Sequence, residues 1–230
     1  MRRVMLGLIA SLLVAGCSTV PPVKDQSPVT PGAVVDTLSS TVTLSLRTEQ
    51  RNLAGRGVMV YRRPDQLRLI LLSPFGTTLM DTRVSGEQLT VLYPASNVAY
   101  RGLISELPAA TGQRGLAMLR WVLDSDTPSG APANGEFERP AARGGIEWLR
   151  LQDGQVMEKR LSSGEQVRYR NHTVLSGVRL PLELQMISSE GDRIRLTLED
   201  PEVNTQLDHQ IFEVPLQGVP LLPLSALKGP

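Results

Sequence analysis

Thr41-Val42-Thr43-Leu44-Ser45-Leu46-Arg47 alternates apolar and polar side chains without a break. A period of two gathers the apolar residues on one face only if the backbone is extended, so this stretch is a strand with one buried side. The same alternation recurs on both sides of the chain's midpoint. Gly57 to Arg62, Gln66 to Leu72, Thr77 to Val84 and Gln88 to Tyr93 read as strands, the last two divided by Ser85-Gly86. Ile146 to Gln152, Gln155 to Leu161, Glu165 to Arg170, Leu182 to Ser188 and Asp192 to Glu199 follow. Asp153-Gly154, Ser163-Gly164 and Glu190-Gly191 join them, and glycine's tolerance of positive φ suits such dipeptides to tight hairpins. The sheet is therefore expected to be mainly antiparallel. Its inner face is expected to carry Leu44, Leu46, Val58, Val60, Leu67, Leu69, Leu71, Leu89 and Val91.

One segment departs from this rhythm. Gly115 to Leu123 spaces Leu116, Leu119, Trp121, Val122 and Leu123 as a helix would, and Ile104 to Leu107 suits a short helical turn. Asp124 to Gly144 is rich in Pro, Gly, Ala and Ser and reads as a long exposed loop. With no internal repeat, the chain is expected to form one α+β domain, a helix laid on a large antiparallel sheet.

The N-terminus carries a different kind of signal. Met1-Arg2-Arg3, an apolar run from Val4 to Ala15, and Gly16-Cys17 have the arrangement of a secretory leader. The run is too short for a membrane-spanning helix, which needs about 20 residues. Val14-Ala15-Gly16-Cys17 resembles the bacterial lipobox, which implies cleavage before Cys17 and acylation of its thiol. Residues 1–16 are then a signal peptide and 17–33 a lipidated tether holding Pro21, Pro22, Pro28 and Pro31. Residues 34–230 form the folded domain. Loss of Arg2 and Arg3 takes the net charge from +1 to about −1, and with no basic tract nucleic acid is not an expected partner. Cys17 is the only cysteine, so no disulfide is expected and the fold must rest on its core. Ser18 follows Cys17 where an aspartate would signal inner-membrane retention in enteric bacteria. The expected location is therefore the periplasmic face of the outer membrane.

Signs of catalysis are missing. His172 and His209 are far apart and read as solvent-facing strand residues, so no metal site is expected. No nucleophile elbow, phosphate-binding loop or dinucleotide fingerprint occurs. Ser225-Ala226-Leu227-Lys228 fits the S-x-x-K pattern in form, but stands alone in a proline-rich tail. The chain is expected to be neither an enzyme nor the holder of a cofactor.

Leu69-Ile70-Leu71-Leu72-Ser73-Pro74-Phe75-Gly76-Thr77-Thr78-Leu79-Met80 contains an anomaly. Proline and glycine are expected in a turn; a large apolar residue between them is not. Phe75 either folds back over the sheet's edge or projects toward an apolar partner.

Gly55-Arg56-Gly57-Val58 and Arg68 to Gly76, then Leu119-Arg120-Trp121-Val122-Leu123, then Leu180-Pro181-Leu182-Glu183-Leu184 with Ile194-Arg195-Leu196-Thr197-Leu198 resemble, in this order, the LolA/LolB family of lipoprotein carriers and receptors. The likeness is closest to the LolB branch. It implies an incomplete, half-open antiparallel β-barrel with a helical lid around an apolar cavity that takes lipoprotein acyl chains. Trp121 and its helix would belong to the lid. Leu44, Leu46, Val58, Val60, Leu69, Leu71, Leu89 and Val91 would line the cavity, although an ordinary packed core would hold the same residues. Pro74, Phe75 and Gly76 would form a membrane-inserting turn, with Phe75 where the receptor has leucine. The implied function is acceptance of acyl chains from a LolA-like periplasmic carrier and their release into the outer membrane, by a monomer. A lipid or glycolipid shuttle of the same fold, or a non-transport scaffold lipoprotein, are the alternatives. Ile211-Phe212-Glu213-Val214-Pro215 resembles an extra strand of the carrier, and the tail from Val219 to Pro230 has no counterpart.

Overall fold

The computed structural model describes residues 28–49, 52–108, 118–141 and 144–227. Six strands come from the first half: β1 (Thr37–Arg47), β2 (Asn52–Arg62), β3 (Gln66–Leu72), β4 (Thr78–Ser85), β5 (Gln88–Tyr93) and β6 (Val98–Leu103). After the single α-helix among the described residues, α1 (Leu119–Leu123), come β7 (Gly135–Pro140), β8 (Ile146–Gln152) and β9 (Gln155–Leu161). Then follow β10 (Gln166–Leu175), β11 (Val178–Ile187), β12 (Arg193–Val203) and the short β13 (Leu221–Pro223). All join one sheet in the order β13-β6-β5-β4-β3-β2-β1-β12-β11-β10-β9-β8-β7, which is not closed on itself. Every pairing is antiparallel except β13 with β6.

This overturns the α+β expectation: the fold is nearly all sheet. Among the described residues no helical lid is evident either. Residues 109–117 lie outside the described residues, and α1 is five residues long, with Leu119, Val122 and Leu123 buried in the core. A helix sunk into the concave face cannot serve as a cover over it. Two further differences have local causes. Glu136-Phe137-Glu138-Arg139, inside the expected loop, alternates well enough to form β7, with Phe137 opposite Leu149 and Glu138 opposite Trp148. Its charged outer positions suit an edge strand, where unpaired backbone must be kept from other chains. The carrier-like segment near Ile211 is a 3-10 turn, His209–Phe212, not a strand.

That turn belongs to a strap. Beyond β12 the chain crosses the outer face of β2 and β3, where Arg62 donates to the Leu207 carbonyl at 2.6 Å and Arg68 to that of Ile211 at 2.8 Å. Phe212 is buried there, with the Arg62 guanidinium 4.7 Å from its ring centre. The strap then pairs with β6 as β13 and tucks Leu224 and Leu227 into the core. It covers an edge that would otherwise offer unpaired backbone.

Gly57 shows how closely the strands approach. A β-carbon on it would lie 2.0 Å from the backbone oxygen of Ile70 on β3, whereas at Gly55 the nearest atom is 3.8 Å away. Gly57→Ala is expected to lower stability by about 1–3 kcal/mol, since neighbouring backbone must move. Gly55→Ala, with room for the methyl, should shift a urea midpoint far less. Equal shifts would mean the close approach is not what requires glycine.

Candidate functional site

Ser73-Pro74-Phe75-Gly76 is a tight turn between β3 and β4. The Gly76 amide donates to the Ser73 carbonyl at 2.9 Å, and the Ser73 amide to that of Thr77 at 2.8 Å. The Ser73 hydroxyl accepts from the amides of Phe75 and Thr77, both at 3.2 Å, and lies 2.7 Å from the Thr77 hydroxyl. Proline fixes its own φ, and Gly76 supplies the left-handed residue (φ +81°) that lets the chain re-enter the sheet. A turn so tied leaves Phe75 no route back onto the sheet, and its side chain stands 96% exposed. Phe75 therefore does not fold back over the sheet's edge. On the outer face behind the turn, Leu79 (46% exposed) and Val58 (39%) add to the apolar surface.

The other anticipated residues separate into groups. Leu44, Leu46, Leu69, Leu71, Leu89 and Val91 all lie buried on the inner face, in one core with Met59, Tyr61 and Met80. Val58 and Val60 are not on that face, although Val60 is buried. The register pairs Val58 with Thr41 and Ile70, and Val60 with Ser39 and Arg68, all on the outer face. The physical reason is phase: a one-residue shift turns every side chain over. Met59 and Tyr61 bury more apolar surface inward than the valines would, while Arg56 faces outward to pair with Glu199. Within the described residues the aliphatic inner face is therefore packed core, not the lining of an open cavity. Cys17, residues 1–16 and most of the tether lie outside the described residues.

Trp121 leads to a constellation hidden in the sequence. The fully buried Lys159 donates to the carbonyls of Trp121 at 2.9 Å and Asp124 at 2.7 Å. Its ammonium lies 3.1 Å from Oε1 of buried Glu147 and 4.9 Å from the Trp121 ring centre. Glu147 also accepts from Trp121 Nε1 at 2.6 Å and from Arg139, and the Tyr169 hydroxyl donates to the Val122 carbonyl at 2.7 Å. Lys159 and Tyr169 thus satisfy the C-terminal carbonyls of α1, which no helical bond reaches. Burial alone would raise the Glu147 carboxyl, but the Lys159 charge and the bonds from Arg139 and Trp121 outweigh it and hold it below the ordinary range. Burial pushes the Lys159 amine down, against the pull of Glu147 and Asp124. No sequence cue marked these residues: Glu158-Lys159-Arg160 is uniformly charged, and a register shift in β8 beside Leu151 decides which one faces inward.

Above this network two arms of the curled sheet leave a cleft of about 700 Å³, bordered by Tyr61, Arg63, Met118, Trp121, Leu161 and Glu165. Burial pushes the Tyr61 hydroxyl up to about 12, so it stays neutral. The volume lies within the range of small-molecule sites, and the wall mixes apolar with charged groups.

Residues 37–200 match the family model described as outer membrane lipoprotein LolB. A DUF1329 family protein from Desulfovibrio piger has a similar structure, with a TM-score of 0.55 and 11% identity, over 78% of this chain and 90% of that one. A domain from Vibrio parahaemolyticus described as an outer membrane lipoprotein-sorting protein gives 0.51 and 12%, over 76% and 88%. A LolA superfamily protein from Nitrosomonas europaea gives 0.48 and 13%, over 81% and 92%. At these identities the first two structures establish the fold alone. No curated protein matches the chain significantly. The strap beyond residue 200 lies outside the family match.

Proposed function

The chain belongs to the outer membrane lipoprotein LolB family, and from that premise we propose that it accepts lipoprotein acyl chains from a LolA-like periplasmic carrier and inserts them into the outer membrane. Family membership gives the coarser statement, a role in lipoprotein localisation. The finer one is carried by Phe75, an aromatic ring held fully in solvent by a hydrogen-bonded turn. Burying one phenyl contributes about 1.5–3 kcal/mol. That is enough to bias a membrane encounter and too little to trap the protein. Permanent hold would come from acylated Cys17, at the periplasmic face. Incoming acyl chains would meet the protein at the Trp121 cleft. Transfer would run on differences in affinity between carrier, cleft and bilayer, so the proposal includes no cofactor, no covalent step and no enzymatic activity.

Phe75→Glu tests it. Cargo acceptance and melting temperature should be unchanged, while release into liposomes slows about tenfold or more, in keeping with the loss of one buried phenyl. Unaltered release would remove Phe75 from the mechanism.

One observation favours a second reading. The packed inner face suits a scaffold lipoprotein that carries no lipid. A fluorescent fatty acid that binds, and loses affinity in Trp121→Ala, would support the cleft; no binding would favour the scaffold. In native mass spectrometry of the Cys17→Ala chain with carrier-bound cargo, copurified free lipid without transfer would point instead to a lipid shuttle.

A further inference from the structure

The strap covers the outer face of β2 and β3 but leaves that of β10, β11, β12 and β1 open. A groove of about 500 Å³ lies there. Strand register builds its floor from two rows, Arg168-Gln185-Arg195-Ser45 and Gln166-Ile187-Arg193-Arg47. All four arginines are exposed. Two have a carboxylate partner: Arg195 with Glu183 at 3.1 Å and Arg168 with Glu158 at 3.4 Å. Among the described residues, Arg47 and Arg193 have no ion pair, yet they sit directly opposite each other on β1 and β12. Like charges in that relation are destabilising. An outer strand face has no packing reason to pair them, and an anion between them would turn the repulsion into binding.

The groove's position bears on what that anion is. Arg47 ends β1 and Arg193 begins β12, at the strand ends toward which the β3–β4 turn projects. Leu72, just before that turn, pairs with Arg56, which pairs with Thr43, and the groove begins two residues further along β1. Phe75 and the groove therefore share one end of the neighbouring strands β3-β2-β1-β12. Ile187, 37% exposed between Arg193 and Gln166, gives the floor an apolar spot. Glu49, Glu190 and Asp192 cluster beyond the Arg47–Arg193 row at this same strand end, and the chain carries almost no net charge, so any attraction is confined to the arginine rows. A compact anion with carbon attached fits better than an extended acidic surface.

We propose that this groove binds the phosphate of acidic phospholipid headgroups, fixing the orientation in which Phe75 enters the membrane. The inference rests on the membrane-facing reading of Phe75. Guanidinium forks match phosphate oxygens in pairs, and basic side chains close to an anionic surface each strengthen adsorption about fivefold.

Sedimentation of the Cys17→Ala chain with phosphatidylcholine vesicles, with and without about 30 mol% phosphatidylglycerol, provides the test. Binding should be stronger on the anionic vesicles, and that excess should shrink as salt rises from about 50 to about 500 mM. Arg47→Gln with Arg193→Gln should cut the excess about 25-fold, while Arg47→Lys with Arg193→Lys keeps most of it; melting temperatures verify folding. Equal binding to both vesicle types, or an unchanged excess in the glutamine pair, would overturn the proposal. So would an excess that survives while cargo uptake from the carrier fails, which would assign the arginines to a protein contact. Phe75→Ser, which adds no charge, should weaken binding to both vesicle types without altering their ratio, so failure of the Phe75 reading is separately visible.

Discussion

Glu147→Gln is expected to cost about 3–5 kcal/mol, because it leaves Lys159 buried without its counter-charge. The pair is almost wholly out of water, and removing one partner from such a pair is far more damaging than removing both. Two carbonyls would still accept from the Lys159 ammonium, which places the loss toward the lower end of that range. One carboxylate oxygen also becomes an NH2 donor, so either Trp121 or Arg139 loses its acceptor, and Arg139 loses its buried counter-charge in either orientation. Lys159→Met in the same chain should recover much of the loss, a coupling that a double-mutant cycle reads directly. Additive effects would mean that the ammonium and the carboxylate act independently. The pH dependence has a definite sign. The folded Glu147 carboxyl is held below its ordinary value of 4.5, so its contribution is complete above that value and fades as pH falls through the lowered range. The glutamine variant should lack this part of the acid destabilisation. Because α1 hangs from the same groups, amide exchange in Leu119–Leu123 should quicken in step with the stability loss.

Strand periodicity was legible at once, since burial of one face writes itself into alternate residues. Leu44, Leu69 and Val91 went to the core by that rule alone. Phase was less so: in Arg56-Gly57-Val58-Met59-Val60-Tyr61 both alternating sets are apolar, and only contact with β3 chooses between them. A lid is not legible in the sequence, because helical spacing in Leu119 to Leu123 reports an apolar face without saying whether it closes over a space or fills one. β7 was lost in a segment whose composition resembled a loop. The exposed turn at Phe75 was recoverable because an apolar residue there breaks a local rule. The Lys159–Glu147 pair and the opposed Arg47 and Arg193 were not recoverable. Each depends on which residues of distant strands stand opposite one another, and no local pattern carries that information.

Shortening the tether by seven residues, from Val20 to Gln26, is expected to abolish delivery into the membrane that holds the protein. The chain enters the domain where the Thr30 amide donates to the Gly177 carbonyl at 2.9 Å, and β1 begins a few residues later. Phe75 and Arg47 lie toward the other end of β1, whose eleven residues span about 33 Å. For Phe75 to touch the bilayer in which Cys17 is anchored, the tether must run back along that length. Thirteen residue-to-residue steps lead from Cys17 to Thr30, and fully extended they reach about 45 Å, enough with little to spare. The six steps left after the deletion reach about 20 Å and fall short. A linker that cannot span its two sites contributes an effective concentration near zero, so the loss should be close to complete, not graded. The same deletion in the unanchored Cys17→Ala chain should leave transfer to free liposomes intact, since no span is then required. Replacing the seven residues by a Gly-Ser segment of equal length should restore delivery, because reach and not sequence is what matters. Delivery that persists in the anchored, shortened protein would mean that Phe75 acts on a different membrane from the one holding Cys17, or that another end of the sheet meets the bilayer.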